Sequence, residues 1–155
     1  MAKEIERKFL VDEKIFKPSG DGEFIAQGYL SSTPERVVRV RIKNDRGYLT
    51  IKGKNEGISR SEFEYEIPKS DAEELLKICE PSIIIKRRYI VDVDESKFEV
   101  DIFEGDNAGL IVAEIELKSE DEKFSKPLWL RNEVSFDKRY YNSNLSKFPY
   151  KLWKK

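Results

Sequence analysis

The chain has 155 residues carrying 29 basic and 30 acidic side chains, so its net charge of -1 provides no long-range field toward nucleic acid or an anionic membrane. It contains no histidine, which excludes His-based triads, His-ligated zinc and His general bases, and its one cysteine, Cys79, excludes an internal disulfide. The length suits one domain over residues 1–155, and a start reading Met1-Ala2-Lys3-Glu4, with no stretch near the ~20 apolar residues of a membrane span, points to a soluble cytoplasmic protein.

Glu4 to Val11 opens the chain as a strand whose alternation places Glu4, Glu6 and Lys8 on one face and Ile5, Phe9 and Val11 mostly on the other. Pro18, Gly20 and Gly22 mark the following loop, with a short helical turn expected around Glu13 to Phe16. Phe24 to Leu30 reads as a strand. Arg36 to Lys43 alternates Arg39, Arg41 and Lys43 against Val38, Val40 and Ile42, and a turn at Asn44 to Gly47 joins it to Tyr48 to Lys52 as a hairpin. From Arg60 to Ile67 the period of two returns, with Arg60, Glu62, Glu64 and Glu66 opposite Phe63, Tyr65 and Ile67. Ser70-Asp71-Ala72-Glu73 matches a capping box, predicting a helix over Asp71 to Cys79 that Pro81 closes. Ile83 to Val93 sets Lys86 and Arg88 against Arg87 and Tyr89, and Lys97 to Glu104 sets Glu99 and Asp101 against Phe98, Val100 and Ile102. Leu110 to Lys118 turns Glu114 and Glu116 away from Ile111, Ala113, Ile115 and Leu117. A second capping-box match at Ser119-Glu120-Asp121-Glu122 predicts a helix of one or two turns stopped by Pro127. Trp129, Leu130 and Val134 read as anchors on the sheet, and Leu145 to Trp153 as a terminal helical piece broken near Pro149.

A sheet with one solvated face produces this alternation, but solvated faces usually mix Thr, Ser, Gln, Lys and Glu. Here whole segments are segregated by sign: Glu4 with Glu6, Glu62 with Glu64, Glu99 with Asp101 and Glu114 with Glu116, against Arg39 with Arg41 and Lys86 with Arg88. Like charges along one strand repel, and they become useful if the sheet closes with its charged side inward. Inward carboxylates suit hard divalent cations, and inward Arg and Lys suit phosphoryl oxygens, so the pattern points to a metal–polyphosphate site. Other phosphate devices are missing. The glycines from Gly47 to Gly53 have the wrong spacing for a P-loop and no Ser or Thr follows Lys54, and there is no GxGxxG.

Glu4-Ile5-Glu6-Arg7-Lys8 resembles the E-x-E-x-K signature of the CYTH superfamily, the triphosphate tunnel metalloenzymes. Further motifs follow in the family's order: Gln27-Gly28-Tyr29-Leu30, Arg39-Val40-Arg41, Leu49-Thr50-Ile51-Lys52, Arg60 with Glu62 and Glu64, Lys86-Arg87-Arg88-Tyr89, Phe98-Glu99-Val100-Asp101, Glu114-Ile115-Glu116, and Glu133-Val134-Ser135 leading to Asp137, Arg139 and Tyr140. Ser135 stands where the family often has Thr, which keeps the hydroxyl. The resemblance is to the short single-domain bacterial members associated with inorganic triphosphatase activity.

That resemblance implies a mainly β fold of the α+β class: a closed antiparallel eight-stranded barrel forming a tunnel, with a charged interior and a few short outer helices. It implies that Lys8, Arg39, Arg41, Lys52, Lys86, Arg88 and Arg139 bind the triphosphate. Glu4, Glu6, Glu62, Glu64, Glu114 and Glu116 would bind Mg²⁺ or Mn²⁺, with Asp101 either joining them or orienting a base. Tyr29 resembles a tyrosine assigned to proton transfer, with a packed aromatic as the alternative, and Lys86 with Arg88 resembles the family's catalytic basic pair.

Metal-dependent hydrolysis of inorganic triphosphate to pyrophosphate and phosphate is the leading expectation. One metal would neutralise the phosphates, a second would orient the attacking water, and the basic residues would stabilise the transferred phosphoryl group. The alternatives are a class IV-type adenylate cyclase, a nucleoside or thiamine triphosphatase, and a non-catalytic polyphosphate-binding module. Cyclisation needs a nucleoside pocket that the sequence does not display, and the His-Phe pair that often precedes E-x-E-x-K in the cyclases is absent. An apolar outer wall needs cover beyond the short helices, which predicts a homodimer through that wall.

Overall fold

The computed structural model describes residues 3–153. Nine strands form one antiparallel sheet: β1 (Lys3–Val11), β2 (Glu23–Ser31), β3 (Arg36–Lys43), β4 (Arg46–Gly53), β5 (Ser59–Ile67), β6 (Glu80–Val93), β7 (Ser96–Phe103), β8 (Ile111–Glu116) and β9 (Leu130–Glu133). Their order is β5-β4-β3-β2-β6-β7-β8-β1, and β1 pairs back onto β5 through Lys3↔Ser61, Glu4↔Arg60 and Ile5↔Ser59, which closes an eight-stranded barrel. Beyond that seam β1 pairs with the short β9 at Phe9↔Glu133 and Val11↔Leu130.

The hairpins follow the turn chemistry. Asn44 takes φ 54° between β3 and β4, a left-handed conformation that Asn tolerates, and its Oδ1 accepts from the Phe24 amide at 3.1 Å. Asp94 takes φ 54° in the equivalent turn between β6 and β7.

Hydrophobic packing lies outside the barrel wall, because the alternation sends the apolar faces outward. Phe9, Phe98, Val100, Ala113 and Ile115 pack beneath Phe16, Phe124 and Trp129 from the connecting segments, with Trp129 edge-on to Phe98 at 5.5 Å between centroids. Helix α1 (Lys69–Lys77) lays Ala72, Leu75 and Leu76 over Val40, Ile42 and Leu49. Gly47 permits that approach, since a Cβ there would lie 2.8 Å from the Cβ of Ala72. No helix among the described residues is long and apolar enough to cross a membrane.

Three expectations are corrected. Helix α1 begins two residues early, at Lys69, with Pro68 at its N-cap and no side-chain cap bond, so Ser70 lies inside the first turn instead of capping it. The segment after Ser119 forms a turn: Glu122 accepts from the Lys118 amide at 2.6 Å and Ser119 Oγ donates to Asp121 at 2.9 Å, closing the backbone locally without a helix. Leu130, expected only as an anchor, begins the ninth strand. The end of the chain forms a 3₁₀ turn over Lys138–Tyr140, the short helix α2 (Asn142–Leu145) and another 3₁₀ turn over Tyr150–Leu152.

Candidate active site

Side chains from all eight barrel strands line one cavity of about 260 Å³. Seven acids line it, Glu4, Glu6, Glu62, Glu64, Glu99, Glu114 and Glu116, together with seven bases, Lys8, Arg39, Arg41, Lys43, Lys52, Arg60 and Arg88. Equal numbers of each sign leave no net formal charge to draw in a simple anion or cation alone, and such a lining matches a ligand that itself carries both signs.

Strand register places these groups opposite one another. Glu6 faces Glu116, and Lys8 faces Glu114, across the β1–β8 pair; Tyr29 faces Arg39 across β2–β3. The β2 register slips between Gln27 and Tyr29 on its β6 side and between Tyr29 and Ser31 on its β3 side, so Tyr29 sits where the strand bends. Tyr29 lines the cavity, and burial raises its pKa although Arg39, Arg41 and Lys8 pull the other way.

On the β1–β5 side, Lys52 Nζ lies 3.1 Å from both carboxylate oxygens of Glu4 and 3.3 Å from Glu62. Burial alone would raise the pKa of Glu4, and Lys52 holds it below the usual carboxylate range. Burial, followed by the charges of Glu114 and Glu4, pushes Glu6 well above that range, while Lys8 and a hydrogen bond from Glu6 hold Glu114 low against its own burial. Arg39 donates to Thr50 Oγ1 at 3.2 Å and Glu64 at 3.3 Å, and Thr50 donates to Glu64 at 2.8 Å. The Nε–H groups of Arg39 and Arg60 are buried without any hydrogen-bond acceptor.

Deeper in the wall, Asp101 uses both oxygens on two cations. It accepts from Arg88 at 2.8 and 3.0 Å and lies 2.7 Å from Lys86 Nζ. Lys86 is fully buried behind the cavity lining, and also donates to Asn142 Oδ1 at 3.1 Å. Burial brings its pKa down to about 7 in spite of Asp101, because Arg88 already balances that carboxylate and Arg41 adds a further like charge. The same carboxylate overcomes burial at Arg88 and raises its pKa well above the ordinary value.

The segment after β9 adds to the lining of the cavity. Tyr141, Asn142 and Ser143 line it, Lys8 Nζ donates to the Tyr140 carbonyl at 3.0 Å, and Ser135 Oγ accepts from the Lys8 amide at 2.9 Å.

The fold thus brings together on the cavity lining Glu4, Glu6, Lys8, Tyr29, Arg39, Arg41, Lys52, Glu62, Glu64, Arg88, Glu114 and Glu116, as the alternation predicts. Lys86 and Asp101 stand behind that lining. Arg139 lies apart from it, 58% exposed at its side chain, paired with Asp137 at 2.7 Å and set over the rings of Tyr140 and Trp153. Lys43, Arg60 and Glu99, which the sequence places on the charged faces with Arg41, Glu62 and Asp101 but to which it assigns no site role, also line the cavity. Sequence reasoning assigned no site role to Thr50 and missed Tyr141, Asn142 and Ser143, for which no periodic pattern exists to reveal them.

The donors suit a hard divalent ion, since carboxylate oxygens are its preferred ligands and Glu6 and Glu114 abut as like groups whose repulsion a cation would relieve. Among the described residues no three acids are already gathered as a metal-ligating set. On one side the Lys52 ammonium already lies against both Glu4 and Glu62.

Comparison with known proteins matches residues 2–150 to the CYTH domain. The chain is 49% identical over 155 residues to a protein of Acetivibrio thermocellus named inorganic triphosphatase, covering 99% of each chain. It is 36% identical over 151 residues to a protein of the same name from Nitrosomonas europaea, covering 92% of this chain and 96% of that one. The crystal structure of the inorganic triphosphatase NE1496 superposes with a TM-score of 0.66 at 34% identity, covering 94% of this chain and 95% of the other.

Proposed function

The chain belongs to the CYTH domain family, and from that premise we propose that it hydrolyses inorganic triphosphate to pyrophosphate and phosphate inside the barrel, with Mg²⁺ or Mn²⁺. One observation carries the reading furthest. The Nε–H groups of Arg39 and Arg60 are buried beside the cavity with no acceptor, and a buried donor is costly to leave unmade, by about 1–3 kcal/mol. Phosphoryl oxygens would supply such acceptors as these guanidinium groups turn toward the lumen, in the charge-assisted geometry that they favour.

Lys8, Arg39, Arg41, Lys52 and Arg88 bind the phosphates in this reading, while Glu4, Glu6, Glu62, Glu64, Glu114 and Glu116 would hold the divalent ion. That ion supplies neutralisation of the phosphates and polarisation of the reacting phosphoryl group. The preset cations of β3 and β6 stabilise charge developing on the transferred group and on the leaving pyrophosphate. Tyr29 is neutral near pH 7, as any phenol is, and its burial reinforces that form, so its hydroxyl both accepts and donates, and it assists proton transfer at the reacting water. Lys86 acts with Arg88 from behind the lining: Asp101 orients the pair and is itself fully engaged by them, which favours the orienting role for Asp101 over metal ligation. Arg139 takes a phosphate role only if the segment around Asp137 turns inward.

The test is product analysis with purified protein given triphosphate, ATP and thiamine triphosphate in turn, with Mg²⁺ or Mn²⁺. Pyrophosphate and phosphate from triphosphate at the highest kcat/KM support the reading. Cyclic nucleotide from ATP would replace it with cyclase activity, and tight binding without turnover would replace it with a binding module.

The proposal takes residues 1–155 as one CYTH-like domain working in the cytoplasm, where a single unpaired Cys79 is at ease. It includes a homodimer. Ile51, Phe63 and Tyr65 leave an exposed apolar strip on the outer face of β4 and β5 that α1 does not cover, and a second copy would cover it. A sedimentation mass equal to one chain at micromolar concentration counts against that assembly.

A further inference from the structure

Gln27 lies in the middle of β2, fully buried on the inward face, directly across from Arg41 in the β2–β3 register. Its Oε1 accepts from Arg41 Nε at 2.8 Å, and its Nε2 donates toward the Tyr29 hydroxyl at 3.4 Å, the longer and weaker contact. The first bond fixes the second. A guanidinium only donates, so the amide oxygen must face Arg41 and the NH₂ must face Tyr29.

The other cavity-lining guanidinium groups have carboxylate partners. Arg39 meets Glu64 at 3.3 Å and Arg88 meets Asp101 at 2.8 Å, while Arg60 Nε stands 3.9 Å from Glu4, an ion pair too long for a hydrogen bond. Arg41 is different: among the described residues it has no ion pair, and the neutral amide of Gln27 is its hydrogen-bond partner. Glutamate has nearly the same shape as glutamine and would also accept this bond, so packing alone does not select the amide. Charge does. A carboxylate at this depth would form a tight pair with Arg41 and leave little of its charge for an incoming anion.

We propose that Gln27 is a positioning residue, which aims Arg41 through a neutral acceptor so that the guanidinium charge remains uncompensated for a phosphoryl group. The inference rests on Arg41 being a phosphate ligand, as in the preceding section. Burial and the neighbouring Arg39 and Arg88 lower the Arg41 pKa to about 9, in keeping with a cation held among like charges without a carboxylate of its own.

Three variants decide it: Gln27→Glu, Gln27→Met and Arg41→Ala, each measured for KM and kcat with inorganic triphosphate and by calorimetric titration with triphosphate alone. If Gln27 served only to hold the strand together, Gln27→Glu would be mild, since it keeps the bond to Arg41, and Gln27→Met would be the worse. The inference expects the reverse order, with Gln27→Glu raising KM and the triphosphate Kd about tenfold or more, equivalent to about 1.4 kcal/mol, and Gln27→Met raising them about two- to fourfold. In both, KM should move more than kcat. The structural order, or parental KM in both variants, overturns the inference. If Gln27→Glu does not fold, Gln27→Met decides alone, and parental KM in it overturns the inference. Arg41→Ala separates the two readings. A parental KM there overturns Arg41 as a phosphate ligand, whereas a raised KM there beside parental Gln27 variants overturns only the role of Gln27.

Discussion

Lys52 and Glu4 face one another inside the barrel, the ammonium equidistant at 3.1 Å from the two carboxylate oxygens. The lysine therefore stands where a cation would bridge Glu4 and Glu62, and it must leave if those acids take up a divalent ion. Replacing Lys52 by Met should then tighten Mn²⁺ binding to the protein alone, followed by electron paramagnetic resonance, while raising KM for triphosphate. Weaker Mn²⁺ binding in that variant would show that Lys52 does not compete with metal.

Glu6→Gln keeps size and removes one of two abutting acids. Because burial already disfavours a charged Glu6, stability should stay within about 1 kcal/mol of the parent in urea unfolding, or increase. Activity should drop by about 100-fold or more if the carboxylate acts through metal. Glu4→Gln should lose activity similarly but also leave Lys52 with a weaker partner. Near-parental turnover by both at limiting metal would contradict the assignment.

Tyr29→Phe removes only the hydroxyl and leaves the buried ring to pack. A role in proton transfer predicts a kcat about 10- to 100-fold lower at nearly constant KM. Parental rates across the pH range would leave Tyr29 as a wall residue.

Lys86 makes stability depend on pH. In the unfolded chain it titrates at the ordinary 10.5 and in the fold at about 7. Between those values the unfolded chain binds the extra proton, so this group makes the protein more stable as pH rises through that window and adds no slope below it. Urea midpoints compared at about pH 7 and pH 9 should rise more for the parent than for Lys86→Met. Equal changes in the two proteins would place the titration elsewhere.

The barrel was legible because its physics is local. Residues two apart share a face, so Glu4 and Glu6 or Arg39 and Arg41 announce a common direction before any partner is known. Segregation by sign then told inside from outside. What stayed hidden depends on contacts remote in the chain. Lys86 and Arg88 have the same alternation, yet Asp101 and Asn142 draw Lys86 behind the lining while Arg88 remains on it. Arg139 carries the right charge, but Asp137 two residues away holds it outside. The turn at Ser119 fits a helix-start pattern whose side chains found nearer partners, and α1 shows that Pro68 sets the start of a helix more strongly than a serine placed to cap it.

The seam between β1 and β5 also constrains the order of events as the chain is made. β1 emerges first, yet its partners are Ser59 to Ser61 in β5, Val112 to Glu116 in β8, and β9. During synthesis one edge must wait for Ser59 to Ser61 and the other, open far longer, for Val112 to Glu116. Contacts of such long range slow folding, and unpaired edges invite association with other chains. A nascent chain arrested before β8 would hold Glu4, Glu6 and Lys8 on a strand without a lumen, and it would be a preferred client for chaperones that shield exposed strands.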